Sequence, residues 1–111
     1  MSFINLTTQN FEKYVLHNDQ IVVVEFYAEW SGVSHILLPA LRGIKSKFRK
    51  QVMFGRLDID KENDIAEKYG VFELPTILIF RDSHVIDSLH GIFAHSLIED
   101  KLNRLINADE L

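Results

Sequence analysis

Two rhythms of hydrophobic residues alternate along the chain. The run Ile21-Val22-Val23-Val24-Glu25-Phe26-Tyr27-Ala28 is nearly continuous, β-branched and aromatic, as expected of a strand buried on both faces in the middle of a parallel sheet. Val52 to Ile59 reads as a second strand. Thr76 to Phe80 and Val85 to His90 are two more. Only Arg81 to His84 separate that last pair, which predicts an antiparallel hairpin, although its Asp82-Ser83 turn has no glycine to supply positive φ. Between the strands the period changes. Phe11, Tyr14 and Val15 sit at helical spacing behind Thr7 and Thr8, either of which can cap a helix. Leu37, Leu41, Ile44 and Phe48 step by four, three and four and draw one apolar stripe on a long helix; Pro39 inside that pattern is expected to kink it. A short helix from Asn63 to Tyr69 ends at Gly70, suited to a left-handed cap. Ile98, Leu102, Leu105 and Ile106 mark the last helix, with Ser96 and Glu99 as a capping box at its start. A short edge strand at Phe3 to Leu6 completes the order. Parallel neighbours need crossover helices and the final pair needs only a turn, so the pattern predicts an α/β fold: a central mixed β-sheet flanked by helices on both faces.

Length and composition narrow the function. A chain of 111 residues predicts a single domain over 1–111. Its 47% hydrophobic and 25% charged content is that of an ordinary globular protein. The net charge of −4 argues against a nucleic-acid footprint. No apolar run reaches the roughly 18 residues needed to span a bilayer, and Met1 to Thr8 lack the basic start and apolar stretch of a signal peptide. A soluble, cytoplasmic chain is the expectation. There is no cysteine, which excludes disulfides, thiolate metal sites and sulfur nucleophiles. His17, His35, His84, His90 and His95 show no helical H-x-x-x-H spacing, so neither a metal site nor a cofactor is expected. Arg42, Lys45, Lys47, Arg49 and Lys50 read as a solvated helix end, where cations oppose the helix dipole, in preference to an RNA surface.

The order of elements and several local motifs resemble the thioredoxin family from about Phe3 to Ile106. Val24-Glu-Phe-Tyr-Ala-Glu-Trp-Ser-Gly-Val-Ser34 is similar to the strand that leads into the family's redox motif. Glu73-Leu-Pro-Thr76 resembles the loop holding its cis-proline, here Pro75; Pro39 matches its helix-kinking proline, and Gly91 falls where it has a glycine facing the active site. The resemblance implies the thioredoxin fold and a thiol–disulfide oxidoreductase ancestry. The departure is equally informative, because Trp30-Ser31-Gly32-Val33-Ser34 stands where the family has Trp-Cys-Gly-Pro-Cys. Exchange needs an attacking thiolate and a second thiol to resolve the mixed disulfide. Serine provides neither, so no such activity is expected of this chain. Two explanations remain open for the serines. One is an oxidoreductase whose two catalytic cysteines were replaced at positions 31 and 34. The other is divergence into a redox-inactive relative, favoured by Val33 and His35, which also depart from the family's usual proline and basic residue.

The candidate site residues each have a plain reading beside the functional one. Ser31 and Ser34 lie at a helix start, where serine is a preferred cap; the sharper alternative pairs Ser31 with His35 as nucleophile and base, without a G-x-S-x-G signature to support it. Glu25 occupies, by resemblance, the position of the family's buried acid. A lone buried carboxylate must be protonated or paired, and the resemblance implies Arg56 as the partner, since the matching family position often holds a lysine beside that acid, in a pair kept for structure. Trp30 is either core or, as the resemblance implies, part of an exposed patch with Gly32, Val33, Leu74, Pro75, Gly91, Ile92 and Phe93. In active relatives that surface docks extended peptides, with main-chain bonds from the residue before the cis-proline, here Leu74. Docking of this kind needs no sulfur. The expected role is therefore a polypeptide-binding or adaptor module acting through the Trp30/Pro75 surface.

Overall fold

The computed structural model describes residues 3–91 and 94–110, with side chains in the second stretch described from 97 to 107. Five strands form one mixed sheet in the order β1-β3-β2-β4-β5. They are β1 (Ile4–Leu6), β2 (Ile21–Tyr27), β3 (Val52–Asp58), β4 (Thr76–Arg81) and β5 (His84–His90). β3 pairs in parallel with both β1 and β2, whereas β4 runs antiparallel to β2 and to β5. β2 takes the middle, as its unbroken apolar run requires: six of its seven residues are buried. The helices are α1 (Gly32–Phe48), α2 (Asn63–Lys68) and α3 (Ala94–Glu110).

The two sides of the sheet follow from strand alternation. On one side Ile21, Val23, Val52, Phe54, Ile77 and Ile79 meet the stripe Leu41, Ile44 and Phe48 of α1 and Ile98 and Leu102 of α3. On the other, Val22, Val24, Phe26, Leu78 and Phe80 pack with Phe11, Val15, Ile65 and Ala66. The first predicted helix is shorter and wider than expected. Glu12–Leu16 forms one turn in which the His17 N–H donates to the Glu12 carbonyl, five residues back. Thr7 anchors it reciprocally: the Asn10 N–H donates to Thr7 Oγ1, and the Thr7 N–H donates to Asn10 Oδ1. Thr8 instead binds the Glu62 carboxylate.

The hairpin turns without glycine. Asp82 (φ 50°) and Ser83 (φ 71°) both enter the left-handed region, which matches the twist of the flanking strands and lets pairing continue to Arg81 and His84. The Ser83 hydroxyl donates to the Leu16 carbonyl and so holds the turn against the first helical segment. Gly70, at φ 66°, follows the end of α2 in the left-handed conformation its position called for. The last helix begins at Ala94, two residues before the expected Ser96 cap, whose side chain lies outside the described set.

Candidate functional site

Strand register gathers the candidate residues at one end of the sheet. Tyr27 pairs with Asp58, Phe26 with Thr76, and Thr76 with His90. The loop from Ala28 to Ser34, the turn through Asp60, the Leu74–Pro75 step and Gly91 therefore all leave the sheet at this end. Pro75 follows a cis peptide bond from Leu74, and its carbonyl accepts from the Gly91 N–H at 2.9 Å, with Gly91 at φ 84°. Ile92 and Phe93, the remaining members of the expected patch, lie outside the described residues.

Ser31 caps α1. Its hydroxyl accepts from the Ser34 N–H at 3.3 Å. Ser34 does not share that work. It is the third residue of the helix, within the first turn, fully buried, and its own Oγ has no hydrogen-bond partner. The expectation that both serines cap is thus corrected for Ser34, because only a residue ahead of the first turn can turn its side chain back onto the free N–H groups. The Ser31–His35 alternative fails on geometry. His35 Nε2 donates to the Glu29 carbonyl at 2.7 Å, and His35 meets Ser31 only through its backbone N–H, which donates to the Ser31 carbonyl at 3.4 Å; among the described residues the imidazole makes no hydrogen bond to the Ser31 hydroxyl. A base held this way is not placed to take the serine proton.

Glu25 and Arg56 face each other in the β2–β3 ladder. By alternation with Val23 and Phe54, both lie on the side covered by α1. Arg56 Nε donates to Glu25 Oε1 at 2.6 Å, and the guanidinium carbon stacks 3.8 Å from the centre of the Tyr27 ring. The contact is made through one nitrogen, and the buried Arg56 Nη2 has no partner. Burial pushes the Glu25 carboxyl above its ordinary pKa, against the opposing hydrogen bond and charge of Arg56.

Trp30 is 70% exposed, which corrects the core reading. Its indole N–H donates to Asp60 Oδ2 at 2.8 Å, so the ring is held in place at the surface. Gly32 and Val33 are exposed beside it in the chain, Leu74 is half-buried and Pro75 is buried. Three contributors escaped the sequence reading. Asp60 sits in a charged turn with no periodic signal. Ile36 and Phe72 are 74% and 90% exposed; Phe72 is an aromatic residue in a loop without helical or strand neighbours of its own kind, a signal that was available. A polar network supports the proline loop. The Thr76 hydroxyl gives its one proton to the Glu73 carbonyl, so at 3.1 Å it must accept from His90 Nδ1, which also lies 3.6 Å from the Glu73 carboxylate.

The family profile Thioredoxin matches residues 2–104. The chain belongs to the thioredoxin family. It is 33% identical over 104 residues to a thioredoxin of Buchnera aphidicola subsp. Acyrthosiphon pisum (strain APS), spanning 94% of this chain and 96% of that one. A thioredoxin of Porphyra purpurea is 29% identical over 107 residues, 96% of this chain and 100% of its own. Among solved structures, a chain from work on the thiol resolving mechanism in yeast mitochondrial 1-Cys peroxiredoxin via glutathione/thioredoxin systems superposes with a TM-score of 0.83 at 27% identity, covering 93% of this chain and 95% of that one. The thioredoxin fold and its mixed sheet are thus shared along nearly the whole length. Among the described residues, no helix is long and apolar enough to cross a membrane.

Proposed function

We propose that this thioredoxin-family chain is a redox-inactive polypeptide-binding module that works through the surface around Trp30, Leu74 and Pro75. The family's exchange reaction needs two thiols, and Ser31 and Ser34 supply none. One of these hydroxyls is committed to capping α1 and the other is buried inside it. The surface beside them keeps what an extended segment needs. Trp30, Val33, Ile36 and Phe72 are exposed apolar side chains. The N–H and C=O of Leu74, next to the proline, have no hydrogen-bond partner among the described residues. Main-chain bonds at Leu74 and apolar pockets around Trp30 are the two ingredients of strand-like peptide recognition.

The observation that carries the reading is Trp30 itself. An indole exposed to 70% and fixed by Asp60 is an anchor whose ordering cost is already met before a partner arrives. Cross-linking a captured partner to the chain, with Trp30→Ala and Asp60→Ala variants alongside, tests it. Trp30→Ala should lose the partner, and Asp60→Ala should weaken it. Insulin-disulfide reduction is the second arm: no turnover is expected of the chain, and the Ser31→Cys/Ser34→Cys variant asks whether the scaffold still supports exchange. Retention of every partner by Trp30→Ala, or catalytic reduction by the cysteine-free chain, overturns the reading.

A further inference from the structure

Positive charge gathers along a second surface, which starts beside Tyr27 and runs away from Trp30. A cavity of about 180 Å3 is lined by Arg42 and Arg56, one of about 240 Å3 by Lys45 and Arg49, and one of about 390 Å3 by Lys50 and Arg81. The first two share Ile4 and the last two share Gln20, so they form one seam. It follows the β1 edge and rounds the end of the sheet where β2 begins. Six of the chain's twelve lysines and arginines line it, in a protein of net charge −4. Asp19 is the only carboxylate among the lining residues. Around Trp30, by contrast, the exposed residues include Glu29, Asp60 and Glu73.

Helix-end electrostatics explains part of this seam. The last turn of α1 carries Lys45 and Lys47, with Arg49 and Lys50 just beyond, where cations are favoured. It does not explain why Arg42, from the middle of α1, faces the same surface, beside an Arg56 already paired with Glu25 and stacked on Tyr27. Nor does it explain the pairing. Lys47, from the same basic run, is matched by Glu99 of α3, whereas the exposed Arg42, Arg49 and Lys50 have no acidic partner among the described residues. The seam is not uniformly charged either, since the partly exposed Ile4, Met53 and Ile106 alternate with the cations.

We infer that this seam binds an acidic polypeptide segment that carries apolar side chains between its carboxylates. Cations spaced along a groove with apolar floor match that pattern by charge and by contact. A nucleic acid would need a continuous phosphate-facing surface, which the apolar residues between these cations interrupt. The seam lies outside the Trp30 surface, so it can be occupied while that surface is free.

Fluorescence anisotropy at low salt with a fluorescein-labelled peptide of four Glu-Glu-Leu repeats tests this. The chain should bind the peptide, and binding should fall as salt rises. Arg42→Gln/Arg49→Gln/Lys50→Gln should weaken it about tenfold, the scale expected from three exposed charges acting together. Lys13→Gln/Lys61→Gln/Lys68→Gln, which makes the same change in net charge elsewhere, should alter it by less than about twofold when both triple variants are compared at about 0.15 M salt, where attraction beyond about 8 Å is screened. Equal weakening by both triple variants, no binding of the peptide, or tighter binding of a twelve-nucleotide oligothymidylate overturns the proposal. Self-association seen by sedimentation and lost in the seam variant would reassign the seam to a second copy of the chain, with the same effect.

Discussion

The two sides of the central sheet are built from the same strands and differ in what they bury. Opposite α1, Phe11, Tyr69 and Phe80 form a mutual cluster, with ring centres 5.4 to 5.8 Å apart. The side beneath α1 carries an apolar cluster of its own, but toward the Trp30 end it also holds Glu25, Arg56 and the hydroxyl of Ser34. The first side is explained by packing alone. The second retains polar groups at a cost that packing does not require, and that cost falls next to the two positions where the family's thiols would act. Buried charge of this kind is weak evidence for stability.

The sharpest way to break this contrast is on the aromatic side. Phe80→Ala should lower stability by about 3–5 kcal/mol in a urea titration, since Phe80 is fully buried and touches both partner rings. On the polar side, Arg56→Ala should cost about 3 kcal/mol at neutral pH by stranding the Glu25 charge. Glu25→Leu with Arg56→Leu should recover most of that loss. A double variant as unstable as the single one would mean that the pair supports the fold after all.

The two serines come next, at about 1 kcal/mol each and with opposite signs. Ser31→Ala removes the α1 cap and should destabilise. Ser34→Ala removes a buried hydroxyl without a partner and should stabilise. Thermal denaturation of both variants reads the difference directly. The smallest effect concerns pH. Burial raises the folded pKa of Glu25, so the folded chain holds that proton more tightly than the unfolded one. Its contribution is fully present below the unfolded pKa of roughly 4.3 and is lost as pH climbs through the folded value. The stability of the wild-type chain relative to Glu25→Gln should therefore decline as pH rises from that point, and a flat difference would show that Arg56 cancels the effect of burial.

Much of the fold was legible because it rests on periodicity. The strand at Ile21, the stripe Leu37–Leu41–Ile44–Phe48 and the hairpin after Thr76 each state their burial in the order of residues, and the structure has them within a residue or two. Around the site, residue type showed that Glu25, a carboxylate in an apolar strand, must find a partner, and the family resemblance pointed to Arg56. Other features had no linear trace. Whether a serine near a helix start caps it or sinks beneath it depends on one position in the turn, as Ser31 and Ser34 show.

Sequence by itself thus determined the alternation of strands and helices, the family likeness and the lack of sulfur, because each is a property of residue identity and spacing along the chain. Tertiary structure decided that Trp30 is held outward by Asp60, that His35 turns to Glu29, and that Arg42 of α1 and Arg56 of β3 line one cavity. These depend on where chain segments remote in sequence come to lie, and register between strands, not local pattern, sets that.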